Sequence, residues 1–325
     1  MRRRAAGLLS GLVALAPLAC ATPPVVHPVA KAPAEPHWQD VFDTVPELLV
    51  VVRAKAARED RVYGPLLRRA LQLARERSKA VAPTRTLEAM SDAEELVVGM
   101  RPERAAGDPP ELVLVALGVR TDIDPGRLTD DEGQVLWGPG PTGPVRELVR
   151  ERDEHGHSVG ASLFELPGRT WVIAQGDARV RARDAFAHPF DRPAMDFDPL
   201  ALAIVRLDGP SLVTRVPALQ DLGGLASVGR HLRAVTFVLP PGADRSVRAT
   251  LAYDDDDSAA LSEVALQELV GAVSRSGKAG WMAWLAGARV ERRPKSVVLS
   301  APLPPPLVDG LLQAGSAPLG VEPSP

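Results

Sequence analysis

The chain has 325 residues, of which 45% are hydrophobic and 24% charged, a composition typical of folded globular proteins. Its formal net charge of −3 shows no basic excess and argues against nucleic-acid binding. Aromatic residues make up only 4%, so aliphatic side chains must supply most of the core, and the length allows two domains.

The N-terminus has the pattern of a secretory signal peptide. Three arginines at positions 2–4 precede an apolar run over 5–16. A transmembrane helix needs roughly 20 apolar residues, and this run is shorter and is followed by proline-rich sequence. We therefore expect export without a membrane-spanning helix at this position.

The segment Pro17-Leu18-Ala19-Cys20 closes the apolar run and resembles the lipobox of bacterial lipoproteins. The resemblance covers residues 1–20, and it departs from the family at Pro17, where leucine is usual. It implies that Cys20 is lipidated, becomes the mature N-terminus and attaches the chain to a membrane. Ala21 implies sorting to the outer membrane, facing the periplasm or the cell surface. Cys20 is the only cysteine, so it has no disulfide partner within the chain.

A second cleavage pattern leaves an alternative open. Ala19-Cys20-Ala21 also fits the small-residue site of ordinary signal peptidase. Cleavage there would release a soluble periplasmic or secreted protein that begins at Thr22.

Composition divides the remaining chain into segments. Prolines are dense over 21–38, which predicts a semi-extended tether, and 315–325 reads as a disordered tail. Between them we expect two folded units, 39–190 and 197–314. The proline- and aspartate-rich stretch around 188–199 separates the two.

The first unit contains alternating strand and helix patterns. In chain order these are a strand at 48–52, an amphipathic helix at 65–79, antiparallel strands at 95–101 and 112–119, a short helix at 145–150, strands at 161–166 and 170–174, and a helix at 177–187.

The second unit repeats this arrangement. In chain order its elements are a strand at 202–207, a helix at 211–222, strands at 232–239 and 247–253, a long helix, a strand at 296–301 and a helix at 305–313. Asp257 or Ser258 is the expected cap of the long helix. Its expected buried stripe consists of Leu261, Val264, Ala265, Val270 and Val273.

Both halves thus read β-α-β-β-α-β, the order of a ferredoxin-like plait. A gap-free alignment of 161–187 with 288–314 places strand and helix segments in register. The expected fold class is α+β, with two tandem ferredoxin-like units and mainly antiparallel sheets. A continuous sheet across both units is the alternative that the sequence leaves open.

Two clusters could bind metal ions. His155 and His157 would project from the same face of a strand, and His188 or Asp191 could add a third ligand, but a charged turn explains the same residues. The four aspartates at 254–257 lack the glycine and glutamate of a calcium loop. Favourable interaction with a helix N-terminus is their simpler explanation.

Two surface patterns have both functional and ordinary interpretations. Trp281 and Trp284 could present an aromatic patch, although packing at a helix end is the favoured explanation of their spacing. The basic face expected on the helix at 65–79 could contact anionic headgroups, but most charged helix faces are simply solvated. No catalytic or cofactor motif is present in the sequence.

The function that these patterns favour is a non-enzymatic cell-envelope lipoprotein that binds or organises other components. Its expected partners are the membrane, through the lipid on Cys20, and an envelope protein; no cofactor is expected. Two rivals remain: a periplasmic metal-dependent hydrolase that uses His155 and His157, and a sensor that binds a small ligand between the two units.

Overall fold

Twelve strands form one antiparallel sheet in the part of the chain that the structure describes. The computed structural model describes residues 37–60, 64–65, 83–101, 111–140, 145–148, 160–187, 195, 197–198, 200–215, 226–229, 231–241, 246–276 and 283–302. The strands are β1 (Leu48–Val52), β2 (Glu95–Arg101), β3 (Glu111–Leu117), β4 (Trp137–Pro139), β5 (Val145–Leu148), β6 (Ala161–Leu166), β7 (Thr170–Gln175), β8 (Ala203–Asp208), β9 (Leu232–Leu239), β10 (Ser246–Tyr253), β11 (Arg289–Arg293) and β12 (Ser296–Pro302). Across the sheet their order is β11-β12-β10-β9-β8-β1-β2-β3-β7-β6-β5-β4.

Helices are fewer than strands in these residues. The α-helices are α1 (Ala54–Glu59), α2 (Thr84–Ser91), α3 (Ala178–Ala187), α4 (Gly209–Arg215), α5 (Ala226–Gly229) and α6 (Asp256–Ser276). Short 3₁₀ helices cover Trp38–Val41, Pro125–Arg127 and Ala283–Gly287. Among the described residues, no helix is both long enough and apolar enough to cross a membrane.

The prediction of two tandem ferredoxin-like units is wrong. A plait requires helical crossovers between parallel strands, but β1 lies between β2 and β8 and is antiparallel to both. Every other neighbouring pair in the sheet is also antiparallel. The chain therefore folds mostly as one sheet, because the order of elements along a sequence does not determine which strands pair.

Strands β1 and β8 join the two halves of the chain. Their five residue pairs centre on Val50 opposite Val205. The ladder continues past β1, where the N–H of Arg53 donates to the carbonyl of Leu202 at 2.9 Å. Both halves consequently share one continuous sheet, which is the alternative that the sequence left open.

The strand order repeats on the two sides of this join. Going outward, it is β1-β2-β3-β7-β6 on one side and β8-β9-β10-β12-β11 on the other. The β6–β7 hairpin therefore corresponds to the β11–β12 hairpin, in agreement with the gap-free alignment of 161–187 with 288–314. Among the described residues, the first side continues further, through β5 and β4.

One face of the sheet, which we call the front face, carries Leu49 and Val51 of β1. Here the 3₁₀ helix Trp38–Val41 and helix α3 pack over the first half of the sheet and form one core cluster with it. The Phe42 ring approaches β2 so closely that a Cβ at Gly99 would lie 2.5 Å from it. Glycine at this position lets the ring approach the strand.

The opposite face, the back face, carries two further clusters. Over the first half, helix α2 packs on β3, β6 and β7, and the buried Trp137 indole N–H donates to the Thr86 hydroxyl at 2.8 Å. Over the second half, α4, α5 and α6 pack on β9, β10 and β12. Helix α2 of the first half and helix α6 of the second half thus pack on the same face.

The buried stripe of α6 differs from the expected one. Ala259, Ser262 and Leu266 are buried, whereas Leu261 and Val264 are 57% and 54% exposed. The hydroxyl groups of Ser262 and Tyr253 form a buried hydrogen bond between α6 and β10, which turns that face of the helix toward the sheet. Ala265 is buried as expected, and Val270 and Val273 are partly buried.

Most predicted strands and several helices are confirmed, among them both strands of the 95–101 hairpin, the strands at 161–166 and 232–239, and the helix at 177–187. The helix expected at 145–150 is wrong, because 145–148 form β5. The helix at 305–313 and nearly all of the helix at 65–79 lie outside the described residues, as do 1–36 and 315–325.

Candidate functional site

The two end strands of the sheet differ in how they expose their backbone. β4 has three residues and ends in Pro139, which has no N–H to offer a further strand. β11 has five residues, contains no proline, and pairs with β12 over its whole length. Natural proteins commonly protect sheet edges by shortening them or adding proline, and β4 has both features.

The hydrogen-bond pattern identifies the backbone groups of β11 that have no strand partner among the described residues. The N–H of Tyr253 donates to the carbonyl of Lys295 at 2.8 Å, so odd-numbered residues of β12 direct their backbone groups toward β10. Even-numbered residues of β12 then bond to Arg289, Glu291 and Arg293, with which they are paired. The N–H and carbonyl groups of Val290 and Arg292 consequently point away from the sheet, about 7 Å apart along the strand.

Basic side chains flank these backbone groups. Within β11 and its turn, four cations accompany one anion, Glu291, although the whole chain has a net charge of −3. The cations are Arg289, Arg292, Arg293 and Lys295, and all four are exposed.

The arginines of β11 differ in their ion pairs. Arg293 lies 3.1 Å from the carboxylate of Glu291, and Arg292 lies 3.5 Å from that of Glu263 on α6. Arg289 has no ion pair with the described residues. A carboxylate approaching this edge would therefore find at least one guanidinium without a competing partner.

The turn that holds β11 is rigidly attached to the helix layer. Pro294 and Lys295 form the two-residue turn to β12, and Lys295 adopts a positive φ of 51°. Its N–H donates to the Asp256 carboxylate at the start of α6 at 2.6 Å. Val290 packs against the core cluster beneath α6. The strand is thus fixed before any partner arrives, which lowers the entropy cost of binding.

Aspartates of the run 254–257 cap the N-terminus of α6 and form an ion pair with β9. The carboxylate of Asp255 accepts the N–H of Ser258 at 2.7 Å, a bond that lowers the pKa of Asp255. Asp254 forms an ion pair with Arg233. The helix-start interpretation is confirmed, although the capping residue is Asp255 rather than Asp257 or Ser258.

A second polar cluster lies at the C-terminal end of β2 and the N-terminal end of β3, beneath the front-face helices. The nearly buried Arg101 donates to Asp43 at 2.7 Å, and Arg181 of α3 forms a two-bond pair with Glu111. Partial burial raises the pKa of Asp43, but the hydrogen bond and charge of Arg101 outweigh it and lower the pKa overall. Two cations balance two anions here, so this cluster anchors α3 and the N-terminal segment to the sheet.

An open cleft of about 330 Å³ lies beside α2, lined by Pro83, Thr84, Arg85, Glu88, Asp130, Asp131 and Leu136. Arg85, the one cation of this lining, lies 3.6 Å from Glu88 and 3.7 Å from Asp131 and so forms ion pairs with two of its three carboxylates. It contains no cysteine or histidine that could serve as a nucleophile or base.

Several residues singled out in the sequence lie outside the described part of the chain. These are Cys20, His155, His157, His188, Asp191 and Trp281, and the side chain of Trp284. Within the described ranges, no group of three or more His, Cys, Asp or Glu residues could hold a metal ion.

Sequence reasoning missed β11 altogether. The strand contains one apolar residue among four charged ones, so it shows no hydrophobic alternation. The available signal was the Pro294-Lys295 turn before the confirmed strand at 296–301, because a short turn ahead of a strand indicates a hairpin.

Comparisons with known proteins add no family. No family model matches the sequence, and no curated protein matches it. Among solved structures, crystal form I of TP0453 is similar to this chain with a TM-score of 0.45 and 10% sequence identity, over 88% of this chain and 99% of that one. A similarity this low carries no argument about function.

Proposed function

We propose that this chain is an exported lipoprotein, attached to the outer membrane through Cys20, whose folded body binds an extended segment of a partner protein. The segment adds a thirteenth strand to the sheet beside β11. The open backbone edge of β11 carries this proposal. The lipobox-like segment at 17–20 and the proline-rich tether at 21–38 support the membrane attachment.

Strand addition follows from the geometry of the edge. Val290 and Arg292 present two donors and two acceptors at the spacing of an incoming strand, and the hairpin is fixed by its turn. Backbone bonds of this kind give affinity without a deep pocket. The function is binding rather than catalysis, because the groups that converge on this edge are hydrogen-bonding and cationic ones.

The binding proposal is tested with a pair of variants at Arg292. Arg292→Pro removes the outward N–H and leaves the bonds to β12 intact, whereas Arg292→Ala removes the same charge and keeps the N–H. When a photoreactive amino acid replaces Glu291, irradiation of living cells should crosslink the protein to one reproducible partner. The crosslink should persist with Arg292→Ala and disappear with Arg292→Pro. Equal crosslinking in both variants contradicts strand addition.

The attachment proposal is tested separately by mass spectrometry of the mature protein. We expect an N-terminal cysteine that carries acyl chains, and loss of membrane attachment in Cys20→Ser. An unlipidated chain that begins at Thr22 would show instead that the protein is released in soluble form.

A further inference from the structure

We infer that the segment bound at β11 is acidic, with carboxylates opposite the three arginines of this strand. This inference rests on the strand-addition function proposed above and names the chemistry of its partner. The positive charge of the edge in an otherwise negative chain points to it.

The positions of the charges follow from the pleat. Arg289, Glu291 and Arg293 lie on the front face of the sheet, and Arg292 lies on the back face with Val290. A strand added beside β11 places its side chains directly opposite these residues, at about 5 Å between Cβ atoms. Carboxylates opposite Arg289 and Arg293 would pair on the front face, and one opposite Arg292 would pair on the back face.

Charge also argues against a second copy of this chain as the occupant. Two β11 strands paired across a twofold axis would bring three arginines of each copy together along one edge. Like charges opposite each other on neighbouring strands destabilise the pair. If the charged side chains of β11 served only to protect the edge from pairing with other chains, either sign of charge would suffice. This edge is instead predominantly cationic.

Arg289 is the residue that tests the inference most directly. It has no ion pair with the described residues, so reversing its charge breaks no existing interaction there. Arg127 gives a control with the same change of charge, because it is 88% exposed, lies in the 3₁₀ helix Pro125–Arg127 of the first half of the chain, and forms an exposed ion pair with Asp124 at 3.5 Å. Arg289→Glu and Arg127→Glu change the net charge of the protein by the same amount.

The experiment measures binding of short, capped, dye-labelled peptides to the full mature protein in detergent, by fluorescence anisotropy. In the peptides, glutamate, glutamine or lysine occupies the positions opposite Arg289, Arg292 and Arg293, and threonine occupies the other positions. We expect the glutamate peptide to bind about tenfold more tightly than the glutamine peptide, from three cross-strand charge pairs, and the lysine peptide to bind most weakly. High salt should remove this preference. Arg289→Glu should weaken the glutamate peptide about fivefold, and Arg127→Glu should leave it unchanged.

The other outcomes separate this inference from the function on which it rests. Equal binding of the glutamate and glutamine peptides, abolished by Arg292→Pro, leaves strand addition standing and overturns the acidic preference. Absence of binding by every peptide overturns both. Arg289-dependent sedimentation of the Cys20→Ser protein with phosphatidylglycerol vesicles, without peptide binding, assigns the basic edge to an anionic lipid surface and also overturns the inference.

Discussion

Val50 of β1 lies directly opposite Val205 of β8 at the centre of the join between the two halves of the chain. The N–H of Arg53 donates to the carbonyl of Leu202. In an antiparallel ladder every second residue pair exchanges backbone hydrogen bonds, so Val51 and Ile204, two residues further along, also form a hydrogen-bonded pair. Both of these residues are buried in the front-face core. The join therefore combines backbone pairing with apolar packing, and neither half can complete its sheet alone.

Proline at Val51 is expected to destabilise the whole protein rather than one half. The substitution removes a ladder hydrogen bond and a buried side chain, and should lower the free energy of unfolding by about 3 kcal/mol or more. Urea denaturation and calorimetry should show one transition in the native protein and in the variant. Arg292→Pro, with its N–H at the open edge, is the control and should cost less than about 1 kcal/mol. Two separate transitions in the native protein would contradict this view of the join.

Thr86→Val should be clearly destabilising although it preserves the shape of the side chain. The Trp137 indole N–H would lose its acceptor inside a buried cluster, at a cost of about 1–3 kcal/mol. Thr86→Ser keeps the hydroxyl group and should retain more of the stability. Thermal unfolding of the three proteins compares them, and equal melting temperatures for the valine variant and the native protein would show that the hydrogen bond contributes nothing.

Tyr253 is expected to ionise only at very high pH in the folded protein. Burial raises its pKa from the ordinary tyrosine value of 10.0 to about 12, with the hydrogen bond to Ser262 acting in the opposite direction. The native state then holds the phenol proton more tightly than the unfolded state. Its contribution to stability is complete below pH 10 and decreases as the pH rises toward about 12.

The chain has two tyrosines, so a Tyr63→Phe variant isolates the absorbance of Tyr253. Ultraviolet titration of that variant should give a tyrosinate transition well above pH 10, together with decreasing stability over the same range. Tyr253→Phe should remove that part of the pH dependence. A transition near pH 10 in protein that is still folded would refute the burial argument.

Acidification should weaken the attachment of the segment around Asp43 to Arg101 of β2. In the folded state the pKa of Asp43 lies below the ordinary aspartate value of 3.8, so its contribution to stability is present above pH 3.8 and is lost as the pH falls through the lower folded value. Asp43→Asn should be less stable at neutral pH and less sensitive to acid than the native protein. Urea midpoints measured between neutral pH and about pH 3 test this, and parallel pH profiles for the two proteins would rule it out.

Recognition at β11 and anchoring through Asp43 involve different parts of the sheet. β11 is an end strand, whereas Arg101 lies on β2 near the join. A loss of stability in acid that leaves peptide binding intact would therefore separate anchoring of the N-terminal segment from recognition at the edge.

Local sequence patterns were sufficient to place many of the elements. Strands such as 95–101 and 232–239 have continuous or alternating apolar residues, and their bounds were predicted correctly. The candidate binding edge was not predictable in the same way, because β11 resembles a charged loop when it is read in isolation. The exposure of Leu261 and Val264 on α6 was also not predicted, because helical periodicity does not identify which of two adjacent helix faces packs on the sheet.

The amino-acid sequence by itself determined the position of most strands and led to the prediction of an export leader with lipidation at Cys20, because each depends on residues close together in the chain. Only the tertiary structure decided that β1 pairs with β8, that Arg101 and Glu111 meet Asp43 and Arg181, and that β11 is an edge. Antiparallel pairing depends on contacts between residues far apart in the chain, and many apolar strands of similar composition could pair in other orders. The strand order in the folded sheet is therefore what exposes the basic edge.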